Sequence, residues 1–321
     1  YKIERARIEL AESAARGEII EHSLTDSGST RKIGYINLPS FYLDMESAKR
    51  DKRDFRSSTR DVRRILLDFQ QKGVDGIVLD LSKNGGGSLT EAINLTGLFI
   101  DEGPVVQVKD SVNRIQHYDD LESGMEWSGP LVVLTSKFSA SASEILAGAI
   151  QDYRRGIVVG DEATHGKGTV QSLLDLGAQL FRVAEPPNYG ALKITMQQFY
   201  RPNGDSTQKR GVLADIVLPS ITNHMDVAES DLDFAMDFDK IPAASYKSTA
   251  MVRPDTLNKL RESSQKRRTE SEDFDKLLKN IERYREQKAK KKLSLNEEKF
   301  FAARAELDAD KEEEKQFEDQ D

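Results

Sequence analysis

The chain has 321 residues and a mass of 36.1 kDa, which suits about two domains and leaves room for a substantial hydrophobic core. Acidic residues outnumber basic residues by 55 to 47, and the resulting net charge of -8 argues against a nucleic-acid-binding protein. Because the chain has no cysteine, disulfides, thiolate zinc sites and a cysteine nucleophile are excluded.

Short apolar runs alternate with amphipathic stretches between residues 31 and 220, a pattern typical of an α/β fold. The predicted strands cover residues 32–39, 76–81, 105–108, 131–135 and 157–160. The predicted helices cover residues 58–71, 88–100 and 141–153. Most of these strands are continuous apolar runs, which favours a sheet with helices on both faces.

The chain becomes β-rich after Gly190 and highly charged after about residue 225. Two β-rich runs, residues 191–200 and 212–220, are joined by eleven residues that contain Asn203-Gly204, and we predict a hairpin with a long loop. The charged remainder has apolar residues at helical spacing, so we expect a helical appendage to about residue 307 and a disordered last dozen residues. At the other end, residues 1–10 resemble a strand that continues an upstream segment.

Three segments of small residues each follow a predicted strand. They are NGGG at residues 84–87, FSASASE at residues 138–144 and GKGTVQ at residues 166–171. Loops at the carboxyl ends of strands commonly form the site of an α/β protein. NGGG lacks the Lys-Ser or Lys-Thr of a phosphate-binding loop, so we reject nucleotide binding. The four histidines are far apart in the sequence, and we expect neither a metal nor another cofactor.

Ser141 has two interpretations. With Glu144 it matches S-x-x-E, a capping box that begins a helix. Alternatively, a serine at the start of a helix can act as a nucleophile, because free backbone N–H groups there stabilise an oxyanion. The N–H of Ala142 and one N–H from Gly86 or Gly87 would then form the oxyanion hole.

A serine nucleophile requires a base, and the sequence offers Lys167 and His165. Lys167 lies between two glycines, and desolvation in a closed site would favour the neutral amine that a base requires. A solvated loop lysine is the alternative. If residues 168–173 are extended, Gln171 lies on the same face as Lys167 and can orient its amine. Asp152 lies eleven residues after Ser141, about 16 Å along a helix, so we expect it to support the helix end.

The chain resembles the tail-specific proteases, which are bacterial C-terminal processing peptidases, from about residue 32 to residue 220. The resemblance rests on four blocks in order: DLSKNGGGSLTEAINLTGLFI, VVLTSKFSASASEILAGAIQDY, GKGTVQ and YRPNGDSTQKRGVLADIVLPS. It implies a crotonase-like α/β protease core with β-rich flanking segments and a C-terminal helical extension.

The resemblance also implies a serine endopeptidase with a serine–lysine dyad. It assigns catalytic roles to the nucleophile Ser141, the base Lys167, its orienting neighbour Gln171 and a charge-relay residue, Asp152. The implied oxyanion hole consists of Ala142 with Gly86 or Gly87. Substrates would be unfolded or tagged proteins with apolar C-termini.

The implied organisation has three parts. Residues 1–31 are a connecting strand region after a PDZ domain that this chain lacks, residues 32–224 are the serine protease core, and residues 225–321 are the charged helical extension. The resemblance implies a periplasmic setting, free or associated with the inner membrane, although residues 1–20 are too charged for a signal peptide. A helical-repeat lipoprotein adaptor is an implied partner.

Two other functions stay open from the sequence. The charged extension and the missing PDZ domain would also suit a non-catalytic scaffold or adaptor-binding module built on a protease fold. A minor alternative is an esterase that uses Ser141 with His165 as its base.

Overall fold

A computed structural model of the chain describes residues 14–23, 29–44, 55–181, 183, 187–290, 292, 294–302 and 304. The strands are β1 (Arg16–Ser23), β2 (Thr30–Asn37), β3 (Gly76–Asp80), β4 (Gly103–Lys109), β5 (Ile115–Asp120), β6 (Leu131–Thr135), β7 (Ile157–Gly160), β8 (Thr169–Asp175), β9 (Ala191–Tyr200) and β10 (Ile216–Val217). The helices are α1 (Ser58–Gln71), α2 (Leu89–Gly97), α3 (Ala142–Asp152), α4 (Leu176–Leu180), α5 (Pro254–Glu270) and α6 (Glu272–Ala289).

The strands form two sheets. The first has the order β1-β2-β3-β6-β7-β10, in which β1 pairs antiparallel with β2 and the remaining pairs are parallel. The second has the order β5-β4-β9-β8 and is antiparallel throughout. Helices between successive parallel strands confirm the predicted α/β class.

The core lies between the parallel sheet and its helices. Leu66 of α1, Leu79 of β3, Val133 of β6 and Leu146 of α3 are fully buried. Helix α1 buries Val62, Leu66 and Phe69 on one face, and the Ser57 hydroxyl caps its start by accepting a hydrogen bond from the Arg60 N–H at 3.3 Å. Nearly every residue of α3 is buried, which fixes its first turn against the sheet.

The predicted hairpin after Gly190 is wrong. β9 pairs with β4 and β8 in the antiparallel sheet, whereas β10 pairs in parallel with β7 in the other sheet. The connection between them is long enough to cross from one sheet to the other. The predicted strand at residues 105–108 is part of β4, which belongs to the second sheet and not to the parallel one. The polar strand β5 was not predicted.

The C-terminal extension is helical only in part. Residues 225–253 contain only one turn of 3₁₀-helix and are mostly exposed, and α5 begins after them with Pro254 at its first turn. α6 ends at Ala289, and non-helical residues precede a short helical stretch at 297–302, so the predicted helix to residue 307 is interrupted. The predicted strand at residues 1–10 and the predicted disordered end lie outside the described residues. Within the described part of the chain, no helix is long and apolar enough to span a bilayer.

Candidate active site

Ser141 precedes α3 in a backbone conformation that few L-residues adopt. Its φ is 58° and its ψ is -110°, and such strain persists only where the surrounding structure imposes it. The Ser141 N–H donates to Glu144 Oε2 at 2.8 Å, whereas the serine hydroxyl makes no capping bond. The predicted capping box of Ser141 and Glu144 is therefore present, although the hydroxyl of the half-buried Ser141 makes no side-chain cap hydrogen bond.

The glycine loop after β3 packs directly against this turn. A Cβ on Gly86, whose φ is 106°, would lie 2.8 Å from the Ala140 carbonyl oxygen and 2.9 Å from the Ser141 Cβ. The Gly86 N–H donates to Asn84 Oδ1 at 2.8 Å and is therefore occupied. The neighbouring Gly87 is exposed, and neither its N–H nor that of Ala142 has a hydrogen-bond partner within the described ranges. Of the two predicted glycines, Gly87 has the free donor that an oxyanion hole requires.

Lys167 lies in the loop that leads into β8, an edge strand of the second sheet. Its Nζ donates to Gln171 Oε1 at 3.2 Å, so the structure brings together the lysine and its predicted neighbour despite a β-bulge after Val170. The Gly168 N–H donates to Gln208 Oε1 at 2.9 Å, which fixes the loop beyond the lysine. Lys167 as a residue is half-buried, but its bond to the exposed Gln171 lies at the surface, so the free chain does not enclose the amine as the desolvation argument expects. No hydrogen bond joins its Nζ to the Ser141 hydroxyl, although both residues are described.

Glu144 connects the serine turn to the lysine loop. Its buried carboxylate accepts hydrogen bonds from the N–H groups of Ser141 at 2.8 Å, Gly166 at 2.7 Å and Lys167 at 3.0 Å. It accepts a fourth, from the Thr164 hydroxyl, at 2.6 Å. Burial raises the pKa of Glu144 to about 7, against the opposing effect of these four bonds. Sequence reasoning identified this residue as a helix cap and missed its contact with the lysine loop.

The fold does not place the Asp152 carboxylate in contact with Ser141. It is the last residue of the unbroken α3, and its buried carboxylate pairs with Arg201 and accepts from Asn203 Nδ2 at 3.0 Å. Burial raises the pKa of Asp152, although Arg201 opposes this shift. Asp152 also lines a cleft of about 470 Å³ that includes neither Ser141 nor Lys167. These contacts fit the expected support of the helix end.

His165 is oriented by contacts other than Ser141. Its backbone N–H donates to the Ser139 carbonyl oxygen at 3.0 Å, and its imidazole Nε2 lies 3.5 Å from Glu229 Oε2. No hydrogen bond joins His165 to Ser141, and both residues are within the described ranges. The described residues also contain no group of three or more His, Asp or Glu arranged to hold a metal ion.

Comparisons with known proteins identify the family of the chain. Residues 32–218 match the model of peptidase family S41, and residues 222–321 match the C-terminal domain of tail specific protease. The chain is 39% identical over 284 residues to a tail-specific protease of Haemophilus influenzae, covering 88% of this chain and 38% of that protein. It is 34% identical over 187 residues to a carboxy-terminal-processing protease of Bartonella bacilliformis, covering 58% of this chain and 38% of that protein.

A solved structure shares the fold. The photosystem II D1 C-terminal processing protease superposes with a TM-score of 0.51 and 26% identity, covering 64% of this chain and 48% of that chain. The chain thus spans less than half the length of these three relatives.

Proposed function

Because the chain belongs to peptidase family S41, we propose that it is the proteolytic part of a tail-specific serine endopeptidase with Ser141 as nucleophile and Lys167 as base. The main support is the position of Ser141, on a strained turn at a helix N-terminus and close to the N–H groups of Gly87 and Ala142, which have no hydrogen-bond partner among the described residues. This is the arrangement that acyl transfer through a serine requires.

The proposed reaction assigns one step to each group. The neutral amine of Lys167 removes the Ser141 proton as the hydroxyl attacks the scissile carbonyl, and Gln171 orients that amine. The N–H groups of Gly87 and Ala142 stabilise the oxyanion. The protonated lysine then gives its proton to the leaving amine, and water hydrolyses the acyl-enzyme by the same route. Because serine and lysine are not hydrogen-bonded in the free chain, substrate binding must bring the amine to the hydroxyl.

The wider biological setting is also a proposal. We expect unfolded or tagged proteins with apolar C-termini as substrates, a periplasmic location and a helical-repeat lipoprotein adaptor as a partner. This expectation is supported by the match to tail-specific protease over both the core and the extension.

A fluorophosphonate probe tests the dyad, because it reacts only with an activated serine. We expect the wild-type chain to be labelled at Ser141, and Ser141→Ala to abolish labelling. Lys167→Ala should slow labelling by about a thousandfold, the scale on which loss of a catalytic base acts. Lys72→Ala, which removes an exposed lysine of a helix end, is the matched control and should react normally.

The other two functions predict different results. An esterase with His165 as base would lose labelling in His165→Ala and retain it in Lys167→Ala. A non-catalytic scaffold would not be labelled at all. The contacts of His165 with Ser139 and Glu229 favour a structural role for this histidine.

A further inference from the structure

The lysine loop, residues 165–168, is bound by the segment between β9 and β10. The Thr207 hydroxyl donates to the Lys167 carbonyl oxygen at 3.2 Å, and the Gly168 N–H donates to Gln208 Oε1 at 2.9 Å. A Cβ on Gly168 would lie 2.7 Å from the backbone nitrogen of Gln208, so this close approach requires glycine. The position of the loop that carries Lys167 therefore depends on this segment.

Gln208 is fully buried, and both ends of its side-chain amide are bound. Its Oε1 accepts from the Gly168 N–H, and its Nε2 donates to Glu229 Oε1 at 3.0 Å. These two neighbours fix the orientation of the amide, because an N–H group needs an acceptor and a carboxylate needs a donor. Loss of Glu229 would leave Nε2 without this partner, so the amide could rotate and release the Gly168 N–H.

Glu229 also binds the start of the lysine loop. Its backbone N–H donates to the His165 carbonyl oxygen at 2.8 Å, and its Oε2 lies 3.5 Å from the imidazole Nε2 of His165. The turn of 3₁₀-helix that begins at Glu229 is itself fixed, because the Ala228 N–H donates to Asp231 Oδ2 at 2.9 Å. Glu229 is therefore connected to the backbone on both sides of Lys167, directly on one side and through Gln208 on the other.

Glu229 belongs to the C-terminal extension. It lies within residues 222–321, which match the C-terminal domain of tail specific protease, whereas Lys167 and Gln208 lie in the part that matches peptidase family S41. The extension is thus connected to the loop of the proposed base. Because the Lys167 amine has to reach the Ser141 hydroxyl, a small shift of this loop changes the distance over which the proton moves.

We propose that Glu229 is a positioning residue for the base Lys167 and acts through Gln208 and the start of the lysine loop. The C-terminal extension then forms part of the active site. This inference rests on the proposed function, in which Lys167 is the base. Both carboxylate oxygens of Glu229 contact Gln208 or His165, so Glu229 holds the backbone that carries the base and does not itself transfer a proton.

Fluorophosphonate labelling of Ser141 measures the effect on the base. We expect Glu229→Ala to lower the maximal labelling rate at least about tenfold and to leave the half-saturating probe concentration within about twofold, because only the position of the base changes. Glu229→Gln should restore the rate to within about threefold of wild type, since its amide oxygen still accepts from Gln208 Nε2. A normal rate in Glu229→Ala would overturn the proposal.

Asp239→Ala is the matched control. Asp239 is also a carboxylate of the extension that binds the core, where it accepts from the Tyr200 hydroxyl at 2.7 Å and pairs with Lys109, but these partners lie outside the lysine loop. Its labelling rate should be normal. A loss of the same size as in Glu229→Ala would overturn the proposal, because any detachment of the extension would then have the same effect. Thermal melting shows that each variant is folded.

A second background separates positioning of the base from general damage to the site. In the Lys167→Ala chain the base is absent, so a residue that acts through the base has nothing left to position. Glu229→Ala should therefore reduce the residual labelling rate of Ser141 by less than about twofold in this background. An equal loss in both backgrounds would show that Glu229 acts elsewhere in the site and would overturn the proposal.

Hydrogen exchange of the Gly168 amide tests the connection without any chemistry at Ser141. We expect exchange to be at least about tenfold faster in Glu229→Ala, because the Gly168 N–H loses its fixed acceptor, and close to wild type in Glu229→Gln and Asp239→Ala. Unchanged exchange in Glu229→Ala would overturn the proposal.

The labelling rates also separate the two possible failures. Normal labelling of Lys167→Ala would contradict the proposed function, and the role of Glu229 toward this base would be overturned with it. Slow labelling of Lys167→Ala together with normal labelling of Glu229→Ala would overturn the present inference alone.

Discussion

At the scale of single residues, Glu144 determines the geometry of the candidate site. One buried carboxylate accepts from the backbone of Ser141 and from the backbone of Lys167, so the positions of nucleophile and base depend on the same oxygen atom, Glu144 Oε2. A glutamine at this position has the same shape but would direct an NH₂ group at N–H donors. The backbones of Ser141 and Lys167 would then shift together.

We therefore expect Glu144→Gln to lower kcat at least about tenfold, because small displacements of reacting groups have large effects on rate. Glu91→Gln is the matched control. Glu91 is also buried and accepts from the Ser57 and Ser58 hydroxyls at 2.8 Å each, but it has no contact with the site residues. Peptidase assays should show nearly normal kcat for Glu91→Gln. Equal losses in the two variants would mean that general destabilisation, and not the site, explains the effect.

The raised pKa of Glu144 predicts a pH dependence of stability. Burial raises this pKa from 4.5 to about 7 in the folded chain, so the folded state binds the proton more tightly than the unfolded state does. The free energy of unfolding should therefore fall by up to about 3 kcal/mol as the pH rises from 4.5 to 7, and then level off. Urea unfolding at several pH values measures this change. Since Asp120 and Asp152 also have raised pKa values, the difference between wild type and Glu144→Gln isolates Glu144.

At the scale of elements, the glycine loop and the first turn of α3 must pack backbone to backbone. Gly86→Ala places a Cβ 2.8 Å from the Ala140 carbonyl oxygen and forces an L-residue to a φ of 106°, so we expect a loss of kcat of about a hundredfold. Gly85→Ala is the control, since nothing lies within 4 Å of its added Cβ. Rates measured on the two variants should differ strongly. Similar rates would show that the loop adjusts freely.

The other end of α3 provides a test of Asp152. We expect Asp152→Asn to destabilise the chain by about 3 kcal/mol, because it leaves the buried guanidinium of Arg201 without its charged partner. The folded fraction should retain kcat within a few-fold. Chemical unfolding and active-site titration measure the two quantities separately. A stable variant without activity would instead support the charge-relay role that the family resemblance assigns to Asp152.

The structure also shows which features of the elements can be predicted from sequence. β3 and β6 were predicted because they are continuous apolar runs, and α1 because its apolar residues have helical spacing. β5 (IQHYDD) has no apolar run and is recognisable only from its pairing with β4. The separation of β9 from β10 depends on long-range pairing, which local composition does not encode.

The candidate site was predictable to a similar degree. Ser141, Lys167 and Gln171 were identified from motif and resemblance, and the Lys167–Gln171 contact is present. The bonds from Glu144 to Gly166 and Lys167 could not be predicted, because they join residues more than twenty positions apart.

At the scale of the whole molecule, the C-terminal extension is attached to the core at several points. The Arg261 guanidinium on α5 donates to the Asp215 carbonyl oxygen at 2.7 Å, beside β10. The Thr249 N–H donates to the Tyr153 carbonyl oxygen at 2.9 Å, at the end of α3. These contacts suggest that the extension does not unfold separately from the core.

We expect one thermal transition for the whole chain. The single tryptophan, Trp127, is buried in the core, so its fluorescence reports core unfolding, whereas circular dichroism at 222 nm includes the helices of the extension. The two curves should coincide, and Arg261→Ala should lower both midpoints together. If the circular dichroism signal is lost at a lower temperature than the fluorescence changes, the extension unfolds independently of the core.

The proposed nucleophile and base belong to different sheets. Ser141 follows β6 of the parallel sheet, and Lys167 precedes β8 of the antiparallel sheet. Because Glu144 Oε2 accepts from the backbone of both residues, it ties the two sheets together at this point, and a shift of one sheet against the other would strain both bonds at once.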